Sequence, residues 1–203
     1  ITGLARATAA KLKQDKITRV SLGYDASLFS GPAWNPRWPS FYGDQVSPTS
    51  ALWLDEGGVG FGSGSPRYKD PAKQAATAFS AALSKQGIKV TTTQRAGAPK
   101  SAPVVATASS MRLERIVEHV LMVSDNDGAE VLFRQAAVGA GRAGSIAEAT
   151  KVVRSELTEL GIWGPGMTIS DGSGLARQTK VPADAMAKML RLAASEQHPE
   201  LRP

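Results

Sequence analysis

Ser124, Asp125 and Asn126 interrupt an apolar stretch that otherwise offers little chemistry. A hydroxyl and a carboxamide two positions apart can face one cleft. The hydroxyl can relay a proton, and the carboxamide can donate to a carbonyl oxygen and accept from an ammonium. The same tripeptide also reads as a helix cap, with Asp125 or Asn126 holding the first amides of the following helix. Residue type alone leaves both readings open. The chain has two histidines, His119 within a patterned helix and His198 in a polar tail. Neither is the expected base of a Ser-His-Asp triad, and their spacing suggests no metal site. The absence of cysteine excludes disulfides, thiolate zinc sites and thiol catalysis.

The elements that must position the tripeptide are helices. Leu113, Ile116, Val117, Val120 and Leu121 recur at helical spacing and predict one buried stripe. A second helix is expected from about Ala129 to Val138. Ser145-Ile146-Ala147-Glu148 reads as a capping box opening a third, which stops at Gly161. Met167-Thr168-Ile169 leads into a tight Asp171-Gly172-Ser173-Gly174 turn, and Pro182 starts a last helix through about Ala194. Before residue 104 the pattern is mixed. An Ala-rich helix is expected over Thr2 to Lys13, and another begins at Asp70-Pro71 and ends at Gly87. Strands are expected at Ile17–Tyr24, Ser50–Leu54, Ile88–Thr93 and Val104–Ser109. Ser30 to Pro48 holds four prolines with Trp34, Trp38, Phe41 and Tyr42, and reads as a loop pinned by its own aromatics. Gly57 to Ser65 reads as a Gly/Ser-rich turn.

At 203 residues, 42% hydrophobic and 21% charged, the chain has the composition of a globular protein with a core of its own. It contains no apolar run of about 18 residues, so no membrane-spanning helix is expected. Twenty-four basic residues against 18 acidic ones give a net charge of +6. The basic residues are scattered, with no run of five, so a solvated surface is expected and not a nucleic-acid footprint.

Ser-Asp-Asn is also the middle motif of penicillin-interactive serine enzymes, beside Ser-x-x-Lys and Lys-Thr-Gly. The run Arg115-Ile116-Val117-Glu118-His119-Val120-Leu121-Met122-Val123-Ser124-Asp125-Asn126-Asp127 resembles that helix and motif in the class C low-molecular-mass penicillin-binding proteins. These are the D-alanyl-D-alanine carboxypeptidase/endopeptidase family. Arg19-Val20-Ser21-Leu22-Gly23-Tyr24-Asp25, with Ser47-Pro48-Thr49-Ser50-Ala51-Leu52, resembles the family's inserted domain. Asp171-Gly172-Ser173-Gly174-Leu175-Ala176-Arg177 resembles a stretch between its second and third motifs. Together the matches run from about Ile17 to about Leu192.

The resemblance implies an α+β fold. Residues 104–203 would be part of a β-lactamase/DD-peptidase-like penicillin-binding domain. Residues 1–103 would be most of a strand-containing accessory domain inserted between the first and second motifs. It implies a serine acyl enzyme acting on peptidoglycan stem peptides outside the cytoplasmic membrane, with β-lactam antibiotics as inhibitors, no metal or organic cofactor and no nucleic-acid partner. Ser124 would relay a proton towards the leaving amine. Asn126 would hold the substrate's peptide carbonyl, while Asp125, Asp171 and Ser173 would shape turns near the cleft. No serine in the chain is followed three places later by lysine, and there is no Lys-Thr-Gly. Thr8-Ala9-Ala10-Lys11 and Lys100-Ser101-Ala102 are poor look-alikes. The chain is therefore expected to be a fragment lacking the nucleophile and third motif. The rival is a non-catalytic, cell-wall- or protein-binding relative; a β-lactamase fits the long insert poorly.

Overall fold

A computed structural model of the chain describes residues 1–59, 65–99 and 101–195. Two units are formed, one from Ile1–Ser27 with Ser50–Ser110, the other from Leu28–Thr49 with Met111–Pro203. Residues 28–49 thus group with the helices after 110.

In the first unit, helix α1 (Thr2–Gln14) and helix α2 (Pro71–Lys85) cover one face of two parallel strands, β1 (Arg19–Tyr24) and β2 (Lys89–Arg95). Parallel strands need a long crossover, and the segment carrying α2 provides it. Asp70 caps α2 by accepting from the Lys73 amide at 3.0 Å, and Pro71 sits where no amide partner is needed. Ala5 and Ala9 let α1 approach closely, so Leu83 and Ile88 are fully buried with Val20, Phe79 and Val90 around them. Each of those two large side chains contributes about 1.5–3 kcal/mol on burial. Val20 faces Val90, and a bulge follows before Leu22 meets Thr93. The opposite sheet face carries Arg19, Ser21 and Lys89 and is open to solvent.

Two expected strands are absent. Ser50–Leu54 forms bends leading into a short 3-10 turn at Asp55–Gly57. Val104–Ser109 forms no regular secondary structure, with Val104 75% exposed. A strand is stable only with a partner, and the described residues hold only the β1–β2 pair. Gly57–Val59 lie in and after the 3-10 turn, whereas residues 60–64 of the expected Gly/Ser-rich turn lie outside the described residues, as do Lys100 and His198.

The second unit contains α3 (Leu113–Val123), α4 (Asn126–Gly139), α5 (Ile146–Glu159) and α6 (Ala183–Ala194). Helix α4 begins three residues earlier than expected, within the polar break itself. Phe133 and Ala137 of α4 pack on Ala149 of α5, with Ile169 against both. Ile162, Met167 and Ala185 form a neighbouring cluster that seats α6. Ser145 caps α5 through the Glu148 amide at 3.2 Å, but Glu148 does not complete the box. Its carboxylate pairs with Arg142 at 3.2 Å and Lys151 at 2.6 Å. The stripe predicted on α3 has the right period but is not buried. Only Val120 is, while Leu113 is 65% and Leu121 77% exposed. Helical period identifies a face; a neighbour must then cover it.

Candidate active site

Helix α3 ends at Ser124, whose backbone is left-handed (φ 56°, ψ 46°), and the Asp125 amide returns to the Val120 carbonyl at 3.0 Å. This is the helix ending at which glycine is usual. A serine there holds its hydroxyl on an exposed tip at a backbone cost of about 1 kcal/mol. Asp125 is the cap of α4, accepting from the Gly128 amide at 2.9 Å. Gly128 is required by this geometry, since a Cβ would stand 2.4 Å from Asp125 Oδ2 and 2.7 Å from Val120 Cγ2. With Asp125 in the cap, the Asn126 side chain is released from that task. Its Nδ2 donates to the Gln45 carbonyl at 3.1 Å.

Below this turn, α4 carries three buried charged side chains on one face, Asp127, Glu130 and Arg134. Each holds a different loop. Asp127 Oδ1 accepts from the Ser47 amide at 2.7 Å and its hydroxyl at 2.5 Å. Glu130 Oε1 accepts from the Gly172 and Ser173 amides, both at 2.8 Å, and from the Ser173 hydroxyl at 2.7 Å. Arg134 donates to the Ser30 carbonyl at 3.1 Å and the Pro32 carbonyl at 2.7 Å. Burial pushes the Glu130 carboxyl above its ordinary range, against the opposing pull of the Ser173 and Gly172 bonds. Burial likewise lowers the Arg134 guanidinium, with Glu130 pulling the other way. One helix face thus fastens residues 30–32, 47 and 172–173 around the base of the turn.

Asp171 and Ser173 belong to this framework. Asp171 Oδ2 accepts from Trp38 Nε1 at 3.0 Å and the Ala176 amide at 2.6 Å, and Oδ1 from the Thr179 hydroxyl at 2.7 Å. Asn35 Nδ2 reaches the Ser170 carbonyl at 2.9 Å. Gly172 is held so closely that an added Cβ would lie 2.5 Å from the Ala129 carbonyl oxygen. The loop from 28 to 49 is pinned partly by its own rings, with Trp34 edge-on to Trp38 at 5.2 Å, and partly by these bonds.

Ser124, Asp125 and Asn126 therefore share one junction; Ser173 connects to its helix through Glu130, and Asp171 accepts from the Ser173 hydroxyl at 3.4 Å. His119 stands on an exposed side of α3. Gln45, Glu130 and Arg134 went unread in the sequence, and Ser47 and Asp127 were given no role of their own. The arrangement offers an exposed hydroxyl beside an anchored carboxamide. Among the described residues no side-chain hydrogen bond holds the Ser124 hydroxyl.

Comparison with known proteins gives consistent matches. Residues 63–202 match the D-Ala-D-Ala carboxypeptidase 3 (S13) family. A carboxypeptidase of Mycobacterium tuberculosis is 30% identical over 95% of this chain and 42% of its own length. Carboxypeptidase DacB of Mycolicibacterium smegmatis is 30% identical over 93% of this chain and 41% of its own. The chain thus spans about two fifths of these relatives. Penicillin binding protein 4 of Haemophilus influenzae superposes with a TM-score of 0.77 at 20% identity, over 98% of this chain and 59% of that one. A second structure of the same protein, complexed with a β-lactam, gives 0.62 at 19% identity, over 98% of this chain and 58% of that one. These likenesses show the fold.

Proposed function

The chain belongs to the D-Ala-D-Ala carboxypeptidase 3 (S13) family, and from that membership we propose that it forms one wall of the active site of a serine-type D-alanyl-D-alanine carboxypeptidase/endopeptidase. The observation that carries this reading is the division of labour at the α3–α4 junction. Asp125 caps the helix, which leaves the Ser124 hydroxyl for a ligand, with the Asn126 carboxamide held beside it through its bond to the Gln45 carbonyl.

In the proposed reaction a serine oxygen, from sequence beyond these 203 residues, attacks the carbonyl carbon of the penultimate D-alanine of a peptidoglycan stem peptide. A lysine one helical turn from that serine takes its proton. The bond to the terminal D-alanine breaks, and Ser124 passes the proton to the leaving amine. Water then hydrolyses the ester. Asn126 orients the peptide carbonyl through its Nδ2, exchanging or sharing its bond to Gln45. A β-lactam would be trapped at the acyl stage. On this reading the first unit is the accessory domain inserted before the middle motif, and the enzyme works outside the cytoplasmic membrane.

The test is covalent labelling. Full-length protein incubated with a fluorescent penicillin is expected to carry one adduct by denaturing gel and intact mass, while the 203-residue chain alone carries none. A stoichiometric adduct on the short chain refutes the division of the site. A full-length protein that stays unlabelled supports the second reading, a non-catalytic relative, which is favoured by the absence of Ser-x-x-Lys and Lys-Thr-Gly from this chain.

A further inference from the structure

The net charge of +6 is not shared between the units. The first unit carries 12 Lys and Arg against 5 Asp and Glu, a net +7, and the second carries 12 against 13, a net −1. Within the first unit the charge gathers at one end. Residues 13–19, where α1 runs into β1, lie beside residues 85–89, where α2 runs into β2. The Lys89 amide donates to the Thr18 carbonyl at 2.8 Å, and Lys13 Nζ stands 3.6 Å from where a Cβ on Gly87 would be. These two short segments bring together Lys13, Lys16, Arg19, Lys85 and Lys89, all exposed. Their one carboxylate, Asp15, is taken by Lys11 at 3.1 Å. Among the described residues none of the five cations forms an ion pair, whereas Arg67 and Arg95 of the same unit do.

Helix dipoles account for Lys13 and Lys85, each in the last turn of its helix. They do not account for Arg19, which stands directly opposite Lys89 in the parallel register. Like charges facing each other across a sheet destabilise it. A repulsive pair on an open sheet face, beside three more cations, is stabilised when an external polyanion neutralises it.

We propose that this end of the first unit docks peptidoglycan, gripping the repeated free carboxylates of its peptides. The inference rests on the proposed function for its choice of polymer, and it assigns the accessory unit a role separate from acylation. The patch contains no residue of the Ser124–Asn126 turn. It would hold the enzyme on an insoluble substrate between turnovers.

The experiment is co-sedimentation of the 203-residue chain with purified insoluble peptidoglycan across a salt series. Binding is expected at low ionic strength and is released by about 0.5 M salt, where exposed charges are screened. The triple variant Lys16→Glu, Arg19→Glu, Lys89→Glu is expected to bind about tenfold more weakly or worse. Lys180→Glu, Lys188→Glu, Arg191→Glu, the same charge change in the second unit, is expected to keep near-native binding. Circular dichroism checks folding, and Arg19→Gln with Lys89→Gln replaces the triple variant if reversal unfolds the unit. No binding by the native chain, equal loss in both triple variants, or tighter retention on DNA than on peptidoglycan at matched salt overturns the proposal. Penicillin labelling of the full-length protein reads the acylation chemistry independently, so either conclusion can fail alone.

Discussion

Replacing Glu130 with alanine tests whether the buried face of α4 holds the surrounding loops. Glu130 is 1% exposed and accepts three bonds, from the Gly172 amide, the Ser173 amide and the Ser173 hydroxyl. Orphaning a buried donor costs about 1–3 kcal/mol. Gly172 is exposed and Ser173 half-exposed, so water can recover part of the loss. The expected cost of Glu130→Ala is therefore about 2–4 kcal/mol, a large share of the ~5–15 kcal/mol that holds a domain together. Glu130→Gln keeps an acceptor oxygen of the same shape and sheds a charge that burial disfavours, so about 1 kcal/mol is expected. Urea denaturation of both variants beside the native chain gives the two differences directly. The pH dependence has a definite sign. Burial raises the Glu130 carboxyl in the folded state, so between its ordinary value and its raised one the folded chain binds more protons than the unfolded chain. Stability from this group is full below the ordinary value and is lost as pH rises through the raised one. Glu130→Gln removes that fall, so the native-minus-variant stability should decline as pH rises from about 4.5. An alanine variant within about 0.5 kcal/mol of native, or a difference that grows with pH, would refute the reasoning.

Ser124→Ala in the full-length protein is expected to slow penicillin acylation by about 10²–10⁴-fold while leaving the melting temperature nearly unchanged, and a rate within threefold of native would return Ser124 to a purely structural role. Ser124→Gly should be equally slow but at least as stable as native, because glycine relieves the left-handed backbone at φ 56°. Asn126→Asp is expected to fail where a cap would succeed, since a carboxylate would face the Gln45 carbonyl in place of a donor; acylation kinetics near native in this variant would remove Asn126 from the reaction. Gly172→Ala should cost about 2 kcal/mol or more in denaturant, because its Cβ would press on the Ala129 carbonyl and Phe133 Cβ, both at 2.5 Å.

Elements with their own end signals were legible. Asp70-Pro71 marked the start of α2, Ser145 that of α5, and the β-branched runs at 17–24 and 88–93 gave the paired strands. Ser50–Leu54 and Val104–Ser109 have strand-like composition yet form none, because composition does not supply a partner edge. The α3 stripe misled in the same way, since its period was right but no described residue buries most of it. At the site, the Ser124–Asn126 junction stood out as a polar break between apolar helices. Asp127, Glu130 and Arg134 did not, because charged residues in a helix ordinarily face water. Their partners lie 80, 42 and 104 positions away in the chain, beyond any local pattern.

The route of the chain between the two units constrains how the protein can be cut. It passes from the first unit to the second after Ser27, returns at Ser50, and leaves again at Ser110. A stop placed at 110 would therefore yield more than the first unit. It would carry residues 28–49 as a stranded loop, with Trp38 deprived of Asp171 and Trp34 of its packing beside Ala176. Exposed indoles on a slack segment invite protease attack and clumping. Excision of the first unit alone requires a stop after Ser110 and a linker in place of residues 28–49 to join Ser27 to Ser50. Conversely, a gene product truncated at 110 should be degraded faster than one spliced in this way, even though both keep every residue of the first unit.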